Sequence, residues 1–121
     1  MKIAISSKGK DMSSPVDPHF GRAAYFIVYD SDNQEFEAIS NTDNVNAAQG
    51  AGIQAAQSVS NKKAEFVISG HIGPKAFSAL RTAGIKVVTW HDGSVQQAVD
   101  LFLSNELTVA DGANVNGHWK Q

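Results

Sequence analysis

Short apolar runs along the chain predict five β-strands, at residues 2–6, 24–29, 35–40, 65–69 and 85–89. These runs are rich in β-branched and aromatic residues, which fit the pleated surface of a sheet. Residues 35–40 alternate polar with apolar side chains, and the turn-forming residues 30–33 stand just before them. The second and third strands are therefore expected to form an antiparallel hairpin.

Apolar positions recur at helical spacing in three further segments, at residues 46–61, 74–83 and 94–104. Pro74 stands at the first position of the second helix, and Gly84 stands where a left-handed residue commonly ends a helix. Ser94 and Gln97 have the spacing of a capping box, which predicts the start of the third helix. The inward residues of that helix are expected to be Val95, Ala98, Val99 and Phe102.

The order of elements is β-β-β-α-β-α-β-α, which predicts an α/β fold with a mixed sheet and helices on its faces. The length of 121 residues suits one domain. We expect a single binding domain at residues 1–109 and a weakly ordered tail at residues 110–121, where Gly and Asn are frequent. Residues 7–22 form a long polar loop, and loops of this length inside small domains are usually functional or disordered.

The chain direction brings polar residues to one edge of the predicted sheet. Strands one, four and five are expected to run parallel, and all three helices begin where strands end. Ligands of open α/β sheets bind outside the carboxyl ends of the parallel strands. The residues expected at this edge are Ser6, Ser7, His19, Arg22, Asn44, His71, Lys75, Trp90 and His91.

The turn from Gly70 to Gly73 predicts an anion site at the start of the second helix. A helix N-terminus offers free N–H groups and the positive end of the helix dipole. His71 lies within this turn and Lys75 in the first turn of the helix, and they add titratable or fixed positive charge beside it. Three helix ends at one edge favour an anion that carries several charges, or a metal-containing anion that histidine can contact.

Composition excludes several classes of function. The net charge of −2 argues against general nucleic-acid binding. The absence of Cys excludes disulfides, thiolate zinc sites and cysteine-ligated iron–sulfur clusters. No signal peptide and no apolar stretch of about 20 residues is visible, so we expect a cytoplasmic protein that does not bind membranes.

The sequence predicts a protein that is not an enzyme. The carboxylates expected at the edge lie on loops rather than strands, whereas a two-metal nuclease needs several of them clustered. Ser6 and Ser7 have no paired base at a recognisable nucleophile elbow.

Several motifs in order resemble the dinitrogenase iron–molybdenum cofactor-binding family. They are the start Lys2-Ile-Ala-Ile5, the run Asp17-Pro-His-Phe-Gly-Arg-Ala-Ala-Tyr-Phe26, Gly50-Ala-Gly52 and Gly70-His-Ile-Gly-Pro-Lys-Ala76. The resemblance extends to about Leu107 and implies a ribonuclease-H-like three-layer fold, with a five-stranded sheet in the order 3-2-1-4-5. Since Cys is absent, the chain is most similar to the orange-protein branch, in which a molybdenum–copper sulfide cluster is held without cysteine.

This resemblance implies a non-catalytic carrier for an anionic molybdenum–sulfur cluster, of the molybdenum–copper sulfide or a related Mo/Fe–S type. Phe20, Ile72 and Trp90 are expected to cover the sulfide faces of the cluster. A cluster-delivery or regulatory protein is an expected partner. The binding residues are expected to be Ser7, His19, Phe20, Arg22, Asn44, Gly70, His71, Ile72, Gly73, Lys75, Trp90 and His91.

Two other interpretations remain open from the residues alone. His19, His71 and His91 are candidate metal ligands, and imidazole suits Zn, Cu or Ni, which would make the chain a metal-ion sensor or chaperone. The chain could instead be a protein-interaction module with no ligand. Arg22 and Lys75 suit an anion and repel a bare cation, which favours the carrier. Each candidate also has a structural explanation, such as a pair between Arg22 and Asp17 or a place for Trp90 in the core.

Overall fold

A computed structural model describes residues 1–41 and 50–110 of the chain. It has β1 at Lys2–Ser7, β2 at Tyr25–Asp30, β3 at Glu35–Ser40, β4 at Phe66–Ser69 and β5 at Lys86–Thr89. The helices of this part of the chain are α1 at Ala51–Asn61, α2 at Pro74–Thr82 and α3 at Val95–Leu103. The predicted element order is confirmed. Residues 46–49, where the first helix was expected to begin, lie outside the described ranges.

The described strands form one five-stranded sheet in the order β3-β2-β1-β4-β5. β1 and β3 both pair antiparallel with β2, whereas β1, β4 and β5 run parallel to one another. This is the predicted mixed sheet with the predicted strand order.

Helices cover both faces of the sheet because successive strand side chains point to opposite sides. On one face α1 and α2 bury side chains such as Val59 and Leu80 against Phe26 and Val67. On the other face α3 packs with Ile5, Ile68 and their neighbours. Phe102, expected to point inward, is partly buried against this second core.

Two local signals set the ends of the helices as predicted. Gly84 follows α2 with φ of 78°, a left-handed conformation that glycine adopts without steric cost. Ser94 caps α3: its hydroxyl accepts from the Gln97 N–H, and the Gln97 side chain accepts from the Ser94 N–H.

The chain still contacts the sheet at the boundary predicted between residues 109 and 110. The Ala110 N–H donates to the Val87 carbonyl at 2.7 Å, and Val109 forms a bridge with Val88. The chain therefore still pairs with β5 at Ala110. Residues 111–121 lie outside the described residues. Within the described chain, no helix is both long and apolar enough to cross a membrane.

Candidate functional site

A cleft of about 440 Å³ opens at the edge where β1, β3, β4 and β5 end. The start of α1, the start of α2 and the end of the long loop after β1 form its walls. Its lining residues are His19, Phe20, Gly21, Arg22, Gly50, Ala51, Gly52, Ile53, His71, Gly73, Pro74, Lys75 and Ala76.

The first turns of α1 and α2 present free backbone donors to this cleft. Neither Gly50 nor Gly73, which precede the two helices, caps its helix with a side chain. Within the described parts of the chain, the first helical bonds are those from Gln54 to Gly50 and from Phe77 to Gly73. The N–H groups of Ala51, Gly52, Ile53, Lys75 and Ala76 have no acceptor among the described residues.

Close packing at glycine brings the two helix starts together. A Cβ atom on Gly52 would lie 2.9 Å from the Cβ of Ala76, and one on Gly21 would lie 3.0 Å from the backbone of Gly52. The loop, α1 and α2 can therefore approach this closely only with glycine at these two positions. Asn41 holds the loop from below, since its buried amide donates to the carbonyls of Gly21 and Ala23.

The charged side chains that line the cleft are all cationic. Arg22 and Lys75 are exposed at its walls, and no Asp or Glu stands among the described lining residues. Lys75 lies in the first turn of a helix, where the helix dipole disfavours a cation. The cations and the free N–H groups together make this cleft suited to an anion.

Three exposed histidines form a row beside the cleft. The ring centroids of His19 and His71 are 5.6 Å apart, and those of His71 and His91 are 5.4 Å apart. Two backbone bonds hold the row in place: the His71 N–H donates to the Pro18 carbonyl, and the Phe20 N–H donates to the His71 carbonyl. No three His, Asp or Glu side chains of the described residues are placed to hold one metal ion.

Asp17 is a contact of this row that was not predicted as a site residue. Its Oδ1 atom accepts the His19 N–H at 2.9 Å and lies 3.9 Å from Nδ1 of the same histidine. The Asp17 backbone is tied to β1 through Ser6, by an N–H bond and a hydroxyl bond. The signal for this contact was present in the sequence, because Asp commonly bonds the backbone two residues ahead.

The start of α3 does not contribute to the cleft, and the predicted convergence of three helix ends is wrong. The N–H groups of Val95 and Gln96 donate to the carbonyls of Ser14 and Met12, and Gln97 donates to its cap. α3 also lies on the opposite face of the sheet from α1 and α2. Two helix ends, rather than three, are therefore open to a ligand.

Comparison with known proteins identifies the family. A family model described as dinitrogenase iron-molybdenum cofactor matches residues 1–105. The chain belongs to this family.

Individual relatives agree with the family in sequence and in fold. An uncharacterized protein of Methanocaldococcus jannaschii is 34% identical over 110 residues, which span 88% of this chain and 89% of that protein. The apo form of the orange protein from Desulfovibrio gigas is 40% identical, with a TM-score of 0.93 over 94% of this chain and 96% of its own. A NifB-like protein from Thermotoga is 38% identical, with a TM-score of 0.84 over 96% of this chain and 98% of its own.

The structure of this family member brings half of the twelve predicted binding residues together. The residues that line the cleft are His19, Phe20, Arg22, His71, Gly73 and Lys75. Gly70 and His91 are adjacent to each other, and His91 lines a separate hollow with Lys8 and Ser94. Asn44 lies outside the described residues.

Several predicted contacts lie away from the cleft surface. Ser7 is buried and bonds the backbone of Gly9, and Ile72 is 1% exposed in the core below α1 and α2. Trp90 packs against the core under α3. Phe20 forms part of the cleft wall, but its ring is 1% exposed and packs on Phe26. Ile72 and Trp90 are not among the residues that line the cleft, because Ile72 is buried in one core and Trp90 packs, partly buried, against the other.

Proposed function

We propose that this protein is a non-catalytic carrier that holds an anionic metal–sulfur cluster in the cleft between the starts of α1 and α2. The observation that carries the proposal is the meeting of free N–H groups with Arg22, Lys75 and two histidines, in a cleft whose described lining has no carboxylate. Membership of the dinitrogenase iron-molybdenum cofactor family supports a cluster as the ligand.

The magnitude of the interactions favours an anion with several charges. One helix end contributes about 0.3–1 kcal/mol to a nearby anionic charge. Even millimolar binding needs about 4 kcal/mol, so two helix ends alone are insufficient. A polyanion can contact Arg22, Lys75 and both helix ends at once, whereas a simple carboxylate carries a single charge for these contacts.

The cluster we propose is a molybdenum–sulfur species, of the molybdenum–copper sulfide type or a related Mo/Fe–S type. Without Cys the chain cannot supply a thiolate, so charge, N–H donation and histidine must hold the cluster. Ile53, Pro74 and Ala76 give the cleft apolar walls that suit weakly hydrated sulfide faces. The likeness to the orange protein supports this choice. Such a carrier requires a second protein that delivers or accepts the cluster.

The sensor interpretation finds less support than the carrier. It needs three histidines around one ion, and the described residues offer no such set. An interaction module without a ligand remains the outcome if neither cluster nor metal binds.

Anaerobic titration with tetrathiomolybdate, with and without copper(I), tests the carrier. We expect new visible absorption bands that co-elute with the protein. Arg22→Ala and Lys75→Ala should each weaken binding about two- to fivefold, because an exposed ion contact is worth about 0.5–1 kcal/mol. Lys86→Ala, which removes an exposed lysine from β5, is the matched control and should change nothing. A flat titration, or equal losses in the Lys86 and Lys75 variants, would contradict the proposal.

A further inference from the structure

His19 and His71, which both line the anion cleft, are spaced so that they suit a second kind of ligand, a metal ion. Nitrogen ligands lie about 2.0–2.1 Å from Zn²⁺, so two of them on one tetrahedral ion are about 3.3 Å apart. The ring nitrogens lie on the ring perimeter, and the two ring centroids are 5.6 Å apart. Rotation of the two exposed side chains can therefore bring one nitrogen of each ring to a common ion.

The backbone fixes the spacing of this pair before any ion binds. His19 and His71 form a parallel bridge between the loop and the turn after β4. The bonds from His71 to Pro18 and from Phe20 to His71 lie on either side of His19. The two imidazoles are thus carried side by side on paired backbone segments.

Asp17 gives His19 the outer partner that metal-binding histidines usually have. A ligating histidine commonly donates its second ring N–H to a carboxylate, which fixes the ring and the tautomer. Oδ1 of Asp17 lies 3.9 Å from Nδ1 of His19, a separation that a small ring rotation closes to a hydrogen bond. With Nδ1 on the side of Asp17, Nε2 is the nitrogen left for an ion.

We propose that His19 and His71 bind one divalent transition-metal ion of the imidazole-preferring class, such as Zn²⁺, with water completing its coordination and Asp17 orienting His19. This site needs two imidazoles rather than three, so it does not depend on His91. Among the described ion pairs, His19 is the histidine that has a carboxylate within 4 Å, which favours the pair His19–His71 over His71–His91. The proposal goes beyond the cluster carrier, because its ligand is a bare cation.

Binding of zinc and binding of an anionic cluster should respond in opposite ways to added salt. Arg22 and Lys75 line the same cleft as both histidines and repel a cation there. Added salt screens this repulsion, so zinc binding should hold or strengthen as ionic strength rises. Binding of an anion to the same positive charges should weaken under the same change.

Zinc titration of the untagged apo-protein, followed by calorimetry and by imidazole NMR, tests the site. We expect one Zn²⁺ per chain, with shifts of the His19 and His71 ring nitrogens in the unmodified protein. His19→Gln and His71→Gln should each lower the affinity by at least about tenfold, because one of two ligands is lost. Asp17→Asn keeps an acceptor for the His19 N–H, and should weaken zinc binding about tenfold through loss of the orienting charge.

Matched controls decide between this site and other histidine sites. His91→Gln and His118→Gln each remove an imidazole that is not part of the proposed pair. The zinc dissociation constant of each variant should stay within about twofold of that of the unmodified protein, a difference of less than about 0.5 kcal/mol. No zinc binding below millimolar concentration, or a larger loss in His91→Gln than in His19→Gln, would overturn the proposal. Neither outcome bears on the carrier, which the tetrathiomolybdate titration tests by itself.

Discussion

At the scale of single residues, Gly70 determines how the histidine row is placed. A Cβ atom there would lie 2.5 Å from Cδ2 of His91 and 2.9 Å from the Pro18 carbonyl oxygen. The His91 ring therefore rests directly on the backbone of residue 70. Gly73, three residues later in the same turn, has open space where a Cβ would stand.

These two glycines give a matched pair of substitutions. Gly70→Ala should lower the free energy of unfolding by about 1–3 kcal/mol, because the added methyl overpacks against a backbone oxygen. Gly73→Ala should change the free energy of unfolding by less than about 0.5 kcal/mol, because φ of −72° suits alanine but alanine is a poorer N-cap than glycine. Urea denaturation of both variants measures the difference. Equal stability of the two variants would show that residue 70 does not support His91 as described.

The sequence predicted which residue types stand at this edge better than which side chains face the cleft. Polar and charged side chains mostly stay exposed to water, so four of the predicted residues line the cleft: His19, Arg22, His71 and Lys75. Phe20 and Ile72 stand in the same motifs, but the hydrophobic core buries them. A sequence motif does not show which of its side chains are buried. Phe20 and Ile72 are buried because α1 and α2 pack over them.

At the scale of elements, the contact of α1 with α2 at Gly52 and Ala76 shapes the cleft. Gly52→Ala gains up to about 1 kcal/mol of helix propensity but places two methyl carbons 2.9 Å apart. The overpacking cost of about 1–3 kcal/mol should prevail, because Ala76 is buried and rigid in its own helix. We expect lower stability and weaker tetrathiomolybdate binding, since the two sets of N–H donors move apart.

A double variant separates the effect of the Gly52–Ala76 contact from the effect of helix propensity. Gly52→Ala combined with Ala76→Gly exchanges the methyl between the helices and should recover a large part of the lost binding. Chemical denaturation and the anaerobic titration of both single variants and the double variant give the coupling energy. Strictly additive effects of the two changes would contradict a direct contact.

Local signals predicted the elements well, and contacts distant in sequence were missed. The strands lie within two residues of their predicted bounds, and both the capping box of Ser94 and the end of α2 at Gly84 were correct. The role assigned to the start of α3 was wrong because Ser14 and Met12 take its donors. That contact joins a loop to a helix about 80 positions later, and no short-range pattern records it.

At the scale of the whole molecule, the proposed anion site is a local feature of a weakly acidic protein. The net charge of −2 does not attract anions, so the cleft depends on where Arg22 and Lys75 stand and on which helix ends are open. The strand order, which the family resemblance implied, is confirmed, and helices were expected on both faces of the sheet. The sequence did not reveal that the N–H groups at the start of α3 are already hydrogen-bonded, whereas those at the starts of α1 and α2 face the cleft.

The most direct test of this account is an anaerobic ¹H–¹⁵N NMR titration with tetrathiomolybdate. The backbone amides of Ala51–Ile53 and Lys75–Ala76 should shift in proportion to ligand bound, because they are the free donors of the cleft. The amides of Val95–Gln97, whose hydrogens are already bonded, should not move. Shifts centred on Val95–Gln97, or an unchanged spectrum at saturating ligand, would contradict the carrier function and the placement of its site.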